Sequence, residues 1–170
     1  MKKLDEIRHL NTLPEPTERP KGLGIVRFIV QCPNNAEMVL NHAKEVLEAV
    51  LKQMPDETLD NDIWNISLPN WFIDACAPEK SQEEAEQWLK WWRSLPPQEQ
   101  EKASKDVKWS LEDWIYWIKP NMRQWFWWDA IIDDACTIRI AVEVEAYPFA
   151  WGSLEWLFKA SGANIVQAEE

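Results

Sequence analysis

The sequence is poor in the residues from which common catalytic motifs are built. Its 170 residues include only four glycines, so neither a G-x-G-x-x-G dinucleotide fingerprint nor a phosphate-binding P-loop is present. A G-x-S-x-G nucleophile elbow is also absent. The two histidines, His9 and His42, are too few for a zinc site built from several histidines. We therefore assign no catalytic residue, no metal ligand and no cofactor, and favour a binding protein over an enzyme.

Cysteines and long apolar runs are also scarce. Cys32, Cys76 and Cys136 are odd in number and form no C-x-x-C pair, which argues against a disulfide framework and a zinc site. The N-terminus lacks the apolar stretch of a signal peptide. No segment approaches the ~18 consecutive apolar residues of a transmembrane helix. We therefore expect a cytoplasmic protein.

Basic residues are outnumbered by acidic ones. The chain has 18 Lys and Arg against 29 Asp and Glu, for a net charge of -11. This balance argues against nucleic-acid binding, which needs cations to neutralise phosphates, and against docking on an anionic membrane. It is compatible with a basic protein partner. Residues 55–120 contain 14 acidic and 7 basic residues, and so carry -7 of this charge.

Tryptophan, in contrast, is abundant. There are 13 tryptophans and only two tyrosines, and eight of the tryptophans lie in residues 55–120. A buried Trp removes roughly 150–250 Å² from water. At about 25 cal/mol per Å² this corresponds to roughly 4–6 kcal/mol, so tryptophan is an effective core residue for a chain of this size.

The periodicity of apolar residues predicts the order of the main elements. Outside residues 55–120 these are a strand over 24–32, a helix over 36–54, two strands on either side of 133–134, a helix over 154–161 and a short strand over 163–168. The order strand, helix, strand, strand, helix, strand is that of the ferredoxin-like fold. The prediction is an α+β fold with one antiparallel sheet and both helices on one face.

Three parts of the chain differ in composition. Residues 1–22 hold a short helical turn followed by three closely spaced prolines, and we expect a flexible, extended arm. Residues 23–170 are predicted to form a single α+β domain. Within it, residues 55–120 form a Trp-rich helical insertion between the first helix and the second strand. We expect this insertion to cover the open face of the sheet, and a homodimer that pairs the open faces is the alternative.

The strand pair after residue 123 raises the question of what covers each face. If Asp133 and Asp134 form a two-residue turn, Trp125 and Trp127 share a face with the Ile and Val residues of the next strand. On the opposite face, this register places Phe126 across from Ala141 and Trp128 across from Arg139.

This opposite face suggests a ligand site. A guanidinium over an indole is a favourable cation–π contact, and an arginine in a pocket can hold a carboxylate or phosphate. We therefore predict that a small anionic aromatic ligand binds residues of this face, namely Phe126, Trp128, Arg139, Glu143 and Arg27. The alternative is that Arg139 covers the aromatic residues and pairs with Glu143.

The helical tryptophans divide into two groups. Trp88, Trp92 and Trp114 lie on apolar stripes with helical spacing, and we expect them in the core. Trp91 and Trp117 lie off these stripes, so they are the candidates for a partner surface.

Three functions therefore remain open. The first is a non-catalytic interaction protein whose acidic insertion binds a basic partner. The second is a small-ligand binder that uses the aromatic and arginine pocket. The third is a carboxylate- or metal-dependent enzyme that uses Asp129, Glu143 and Glu145, because paired carboxylates can hold a hard cation or transfer protons. The fold itself implies no function.

Overall fold

The structure is a computed structural model, and it describes residues 1–54 and 67–169. In chain order the elements are α1 (Lys3–Asn11), β1 (Gly24–Gln31), α2 (Ala36–Gln53), α3 (Asn70–Ala75), α4 (Gln82–Ser94), α5 (Pro97–Asp106), α6 (Leu111–Ile118), β2 (Trp125–Asp134), β3 (Thr137–Val144), α7 (Gly152–Ala160) and β4 (Ile165–Ala168). Trp64 and the rest of residues 55–66, which belong to the predicted insertion, lie outside the described residues. Within the described ranges no helix is long and apolar enough to cross a membrane.

The four strands form one antiparallel sheet in the order β2-β3-β1-β4. This confirms the predicted α+β architecture with an antiparallel sheet. On one face, Phe28 and Val30 of β1 pair with Ile140 and Ile138 of β3, and all four side chains are buried. This alternation of apolar residues is what the sequence shows, and it creates the face on which the main helices pack.

Helix α2 has the pattern predicted for it. Its buried residues recur every three or four positions, as an amphipathic helix against a core requires. They are Ala36, Val39, Leu40, Ala43, Val46, Leu47, Val50 and Leu51. The helix ends at Gln53, two residues before Pro55, which cannot continue the hydrogen-bonding pattern.

The predicted register of the β2–β3 hairpin was wrong. The turn consists of Ala135 and Cys136, and Asp134 accepts a hydrogen bond from the backbone N–H of Cys136 at 2.7 Å. Aspartate commonly precedes a turn in this way rather than occupying its centre. Bulges at Trp128 and Asp133 add further register shifts, which no periodicity in the sequence indicates.

The faces of the first aromatic residues were nevertheless predicted correctly. Trp125 pairs with Val144 and Trp127 pairs with Val142, and both tryptophans are fully buried. At Trp125 and Trp127 the predicted pairing differs from the observed one by two residues. A shift of two residues keeps each side chain on the same face of the sheet.

Residues 3–11 form a helix that packs against β2, longer than the short helical turn that we predicted ahead of the proline-rich part of the arm. Asp5 and Glu6 lie in the first turn of α1 and Arg8 lies in its last turn. This placement of charges stabilises a helix through its dipole. The prolines that indicated an extended chain all follow this helix, so they do not prevent it.

The described part of the insertion packs against the helices. Trp71 of α3 stacks on His42 of α2 with ring centroids 4.3 Å apart. Trp114 of α6 donates from Nε1 to the backbone oxygen of Ser153 in α7 at 2.9 Å. These contacts join α3 to α2 and α6 to α7, and cover of the open sheet face by the insertion stays a prediction.

Candidate functional site

Arg139, predicted to lie over Trp128, belongs to the exposed end of the hairpin. Its Nε and Nη2 each donate to the Asp133 carboxylate at 2.7 Å. This pairing lowers the pKa of Asp133 and raises that of Arg139. Across the strands Arg139 faces Ile131, because the turn lies at Ala135 and Cys136 and a bulge at Asp133 shifts the register. The predicted Trp128–Arg139 contact is therefore wrong.

Trp128 packs against α1 instead. Its ring meets that of His9 edge-on, with centroids 4.8 Å apart. The buried imidazole of His9 lies 2.9 Å through Nε2 from a carboxylate oxygen of Glu18, which also accepts from Arg8 at 2.6 Å. The hydrogen bond from Arg8, assisted by that from His9, lowers the pKa of Glu18 to about 2. These contacts fix α1 and the following turn on the sheet.

Neither Glu143 nor Arg27 takes part in the ion pair between Arg139 and Asp133. Glu143 is buried, and its Oε1 accepts from the backbone N–H groups of Lys21 and Gly22 at 3.3 and 2.9 Å. Arg27 is exposed on β1. Glu143 thus anchors the segment before β1. The alternative prediction, that Arg139 pairs with Glu143, is wrong.

Phe126 and Arg27 line two different cavities, Arg27 one beside Phe149 and Trp151, and Phe126 one beside Arg123. The Cζ atom of Arg123 lies 5.0 Å from the ring centroid of Phe126 and 5.3 Å from that of Trp125. Nη2 of Arg123 donates to Oε2 of Glu6 at 2.5 Å, and the other Glu6 oxygen accepts from the N–H of Trp127 at 2.7 Å. Glu6 therefore joins α1 to the edge of the sheet.

We call the space beside this ion pair the arginine cavity. It has a volume of about 680 Å³. Its lining consists of Met1, Lys2, Lys3, Leu4, Asp5, Glu6, Val50, Leu51, Met54, Ile118, Pro120, Arg123 and Phe126. The size lies within the range of small-molecule sites.

A second concave surface lies between α4 and α6, and we call it the tryptophan groove. Trp88, Trp109 and Trp117 line it, and its volume is about 460 Å³. The remaining lining residues are Lys80, Ala85, Leu89, Val107, Lys108 and Asp113. The ring of Trp91 lies 6.3 Å from that of Trp88, so the two tryptophans predicted for a partner surface lie at this groove or beside it.

Helix α4 is well formed although it is hardly covered. Ser81 and Glu84 form a capping box at its first turn. The helix is described in full and none of its residues is buried. Trp88 and Trp92 are therefore not core residues, contrary to the prediction. Trp92 meets the short helix α5, where its Nε1 donates to the backbone oxygen of Gln100 at 3.1 Å.

No family model, curated protein or solved structure matches this chain. Its function is therefore inferred from the geometry of the two concave surfaces.

Acidic residues stand next to the tryptophan groove. A carboxylate oxygen of Glu79 accepts from the backbone N–H of Glu112 at 2.9 Å. Desolvation and the proximity of the Glu79 carboxylate raise the pKa of Glu112. Asp113, next in the chain, lines the groove. These like charges favour a cation at this end of the groove.

The three carboxylates of the enzyme hypothesis have different environments. Glu143 is held by backbone N–H groups, and Glu145 is exposed after β3. Burial raises the pKa of Asp129, against the opposing effect of Arg27 and His9. Among the described residues, no group of three or more His, Cys, Asp or Glu side chains could hold a metal ion.

Sequence reasoning missed Arg123, Glu6 and His9. One signal was available for Arg123, because it directly precedes the aromatic run of β2. None was available for its partner, since Glu6 lies 117 residues away in the chain.

Proposed function

We propose that the protein is a non-catalytic binding protein whose tryptophan groove takes up a basic amphipathic segment of a partner protein. The observation that carries this proposal is that α4 leaves Leu89 and Trp91 exposed and Trp88 only half-buried. Clusters of exposed apolar side chains on a soluble protein mark interaction surfaces. Tryptophan in particular is enriched among the residues that dominate binding energy.

The charge around the groove supports a basic partner. Asp113 lines it together with Lys80 and Lys108, the Glu79 and Glu112 carboxylates lie next to it in the chain, and the chain as a whole carries a charge of -11. A lysine or arginine placed there would relieve the repulsion between the carboxylates. The apolar face of the same segment would cover the indole rings, as in other recognition of helices by grooves.

We also propose that the sheet is ferredoxin-like and that the protein is cytoplasmic. The element order and the strand order β2-β3-β1-β4 support a ferredoxin-like sheet with an inserted helical segment. A cytoplasmic location is supported by the three cysteines, which form no disulfide.

The test uses a labelled 18-residue model helix with leucine on one face and lysine on the other. Fluorescence anisotropy is expected to show saturable binding that weakens as salt is raised, because the contacts with the acidic residues are screened. Trp117→Ala is expected to weaken binding at least tenfold, which corresponds to about 1.4 kcal/mol and is typical of an interface tryptophan. A matched helix with glutamate in place of lysine is expected not to bind.

Ile131→Ala is the control, since Ile131 is 49% exposed but lies on the hairpin. Equal binding by Trp117→Ala and the unaltered protein would refute the groove as the site. Analytical ultracentrifugation tests whether the protein forms a homodimer. A dimer that dissociates in Trp117→Ala would show that the groove binds a second copy of this chain rather than a basic partner.

A further inference from the structure

The arginine cavity carries an inference that is independent of the tryptophan groove. We propose that it binds a small monocarboxylate with an apolar body, and that Arg123 receives the carboxylate. The cavity lies between α1, α2 and the start of β2, and it shares no lining residue with the groove.

The buried hydrogen-bond donors of Arg123 indicate that the cavity binds a ligand. Its side chain is only 5% exposed, and one nitrogen, Nη2, donates to Glu6. Nε and Nη1 are buried and have no hydrogen-bond partner among the described residues. Buried polar groups in folded proteins nearly always have partners, and an unsatisfied donor of a charged group is especially unfavourable. An acceptor that enters the cavity would remove this deficit.

The chemistry of these donors selects the ligand's polar end. A guanidinium has donors only, so the ligand must supply an acceptor. A carboxylate forms stronger hydrogen bonds with it than a neutral oxygen does. Lys2, Lys3 and Arg123 outnumber the carboxylates of Asp5 and Glu6 in the lining, which favours an anion. The adjacent carboxylate of Glu6 disfavours a second negative charge, and this argues for a monoanion.

The apolar lining of the cavity indicates the chemistry of the rest of the ligand. Val50, Leu51 and Met54 from α2, Ile118 from α6 and Phe126 from β2 form an apolar lining. A volume of about 680 Å³ admits an aliphatic chain or a ring system. Because Nε and Nη1 are shielded from solvent, the guanidinium must turn toward the cavity when the ligand binds.

The experiment uses octanoate as the probe, and octylamine and 1-octanol as comparators of the same length. Isothermal titration calorimetry is performed on the full chain with any purification tag at the C-terminus, because residues 1–6 line the cavity. Octanoate is expected to bind at least tenfold more tightly than 1-octanol, and octylamine is expected not to bind. Failure of octanoate to bind at millimolar concentration, or equal binding of all three, would overturn the proposal.

Two variants locate the site. Val50→Phe fills the cavity without altering the ion pair, and it is expected to abolish binding. The double variant Glu6→Gln with Arg123→Met removes both buried charges together, which avoids leaving one charge unpaired. It is expected to bind octanoate no better than 1-octanol. Unchanged selectivity in the double variant, or unchanged affinity in Val50→Phe, would place the ligand elsewhere and refute the proposal.

Two controls separate this inference from the other sites. Arg139→Met removes the exposed arginine of the hairpin, and Trp117→Ala alters the tryptophan groove. Both variants are expected to bind octanoate as the unaltered protein does. Loss of octanoate binding in Trp117→Ala would mean that octanoate occupies the groove, and it would refute the cavity as the binding site. The proposed binding of a basic segment to the groove is judged only by the model-helix experiment.

Discussion

Glu6 connects two parts of the protein that are far apart in the chain. One carboxylate oxygen accepts from Arg123, and the other accepts from the backbone N–H of Trp127 on the edge strand β2. Glu6 and Arg123 are both buried. A buried charge that loses its partner is strongly destabilising, so this residue has more effect on stability than an exposed acid.

Glu6→Ala is therefore expected to lower the free energy of unfolding by about 3–5 kcal/mol, because it leaves Arg123 without a counter-charge. Denaturant unfolding followed by circular dichroism measures this change. Asp133→Ala, which breaks the exposed pair with Arg139, is the control and should cost far less than Glu6→Ala. Similar small losses in both variants would contradict the buried position of Glu6.

Glu18 provides a prediction about pH. Its contacts with Arg8 and His9 lower its pKa to about 2 in the folded protein, from an ordinary value of 4.5. A carboxyl whose folded-state pKa is lowered stabilises the fold above its unfolded pKa, and this contribution disappears as pH falls through the folded value. Glu18→Gln is therefore expected to be less stable than the unaltered protein at pH 6. The difference should shrink from pH 4.5 downward and disappear only once the pH is below about 2.

Thermal unfolding at a series of pH values tests this expectation. Glu15→Gln removes an exposed carboxylate nearby and serves as the control. A stability difference for Glu18→Gln that stays constant from pH 6 to pH 2 would show that the carboxylate's contacts with Arg8 and His9 are not formed.

At the scale of the elements, α4 differs from the other long helix. Helix α2 is held by a stripe of buried residues, whereas α4 depends on its capping box and on contacts with α5. A helix with little tertiary packing is close to the limit of stability in water. Its capping residue should therefore affect the helix locally and the whole fold only slightly.

Ser81→Ala is expected to destabilise α4 by about 1 kcal/mol, the usual effect of removing such a cap. Hydrogen exchange should show amides of α4 exchanging about fivefold faster, since 1.4 kcal/mol corresponds to a factor of ten. Ser94→Ala, at the other end of the same helix, is the control. A large fall in the midpoint of global unfolding would contradict the weak coupling of α4 to the core.

The β2–β3 hairpin shows which part of an element a local pattern can predict. The alternation of β3 and the faces of Trp125 and Trp127 follow from a period of two residues. The bulge at Trp128 does not, because a bulge depends on the pairing with the neighbouring strand. The prediction of an Arg139 pocket depended on a turn at Asp133 and Asp134, and it was wrong because the turn lies at Ala135 and Cys136.

At the scale of the whole molecule, the helices and the sheet form the layers that an α+β protein requires. Helices α2 and α7 cover one face of the sheet, and α1 covers the edge strand β2. An edge strand that is covered in this way offers fewer unpaired backbone groups to other chains. Helix α4 stays outside these layers, which is why it can offer tryptophans to a partner.

The sequence by itself determined the order of the main strands and helices, the core stripe of α2, the capping of α4 and the excess of negative charge. Each of these depends on residues a few positions apart, or on composition alone. Only the tertiary structure decided that α1 packs on β2, that Arg123 rather than Arg139 lines a cavity, and that Trp88 and Trp92 remain outside the core. These outcomes depend on contacts such as that of Glu6 with Arg123, between residues 117 positions apart, which no local pattern records.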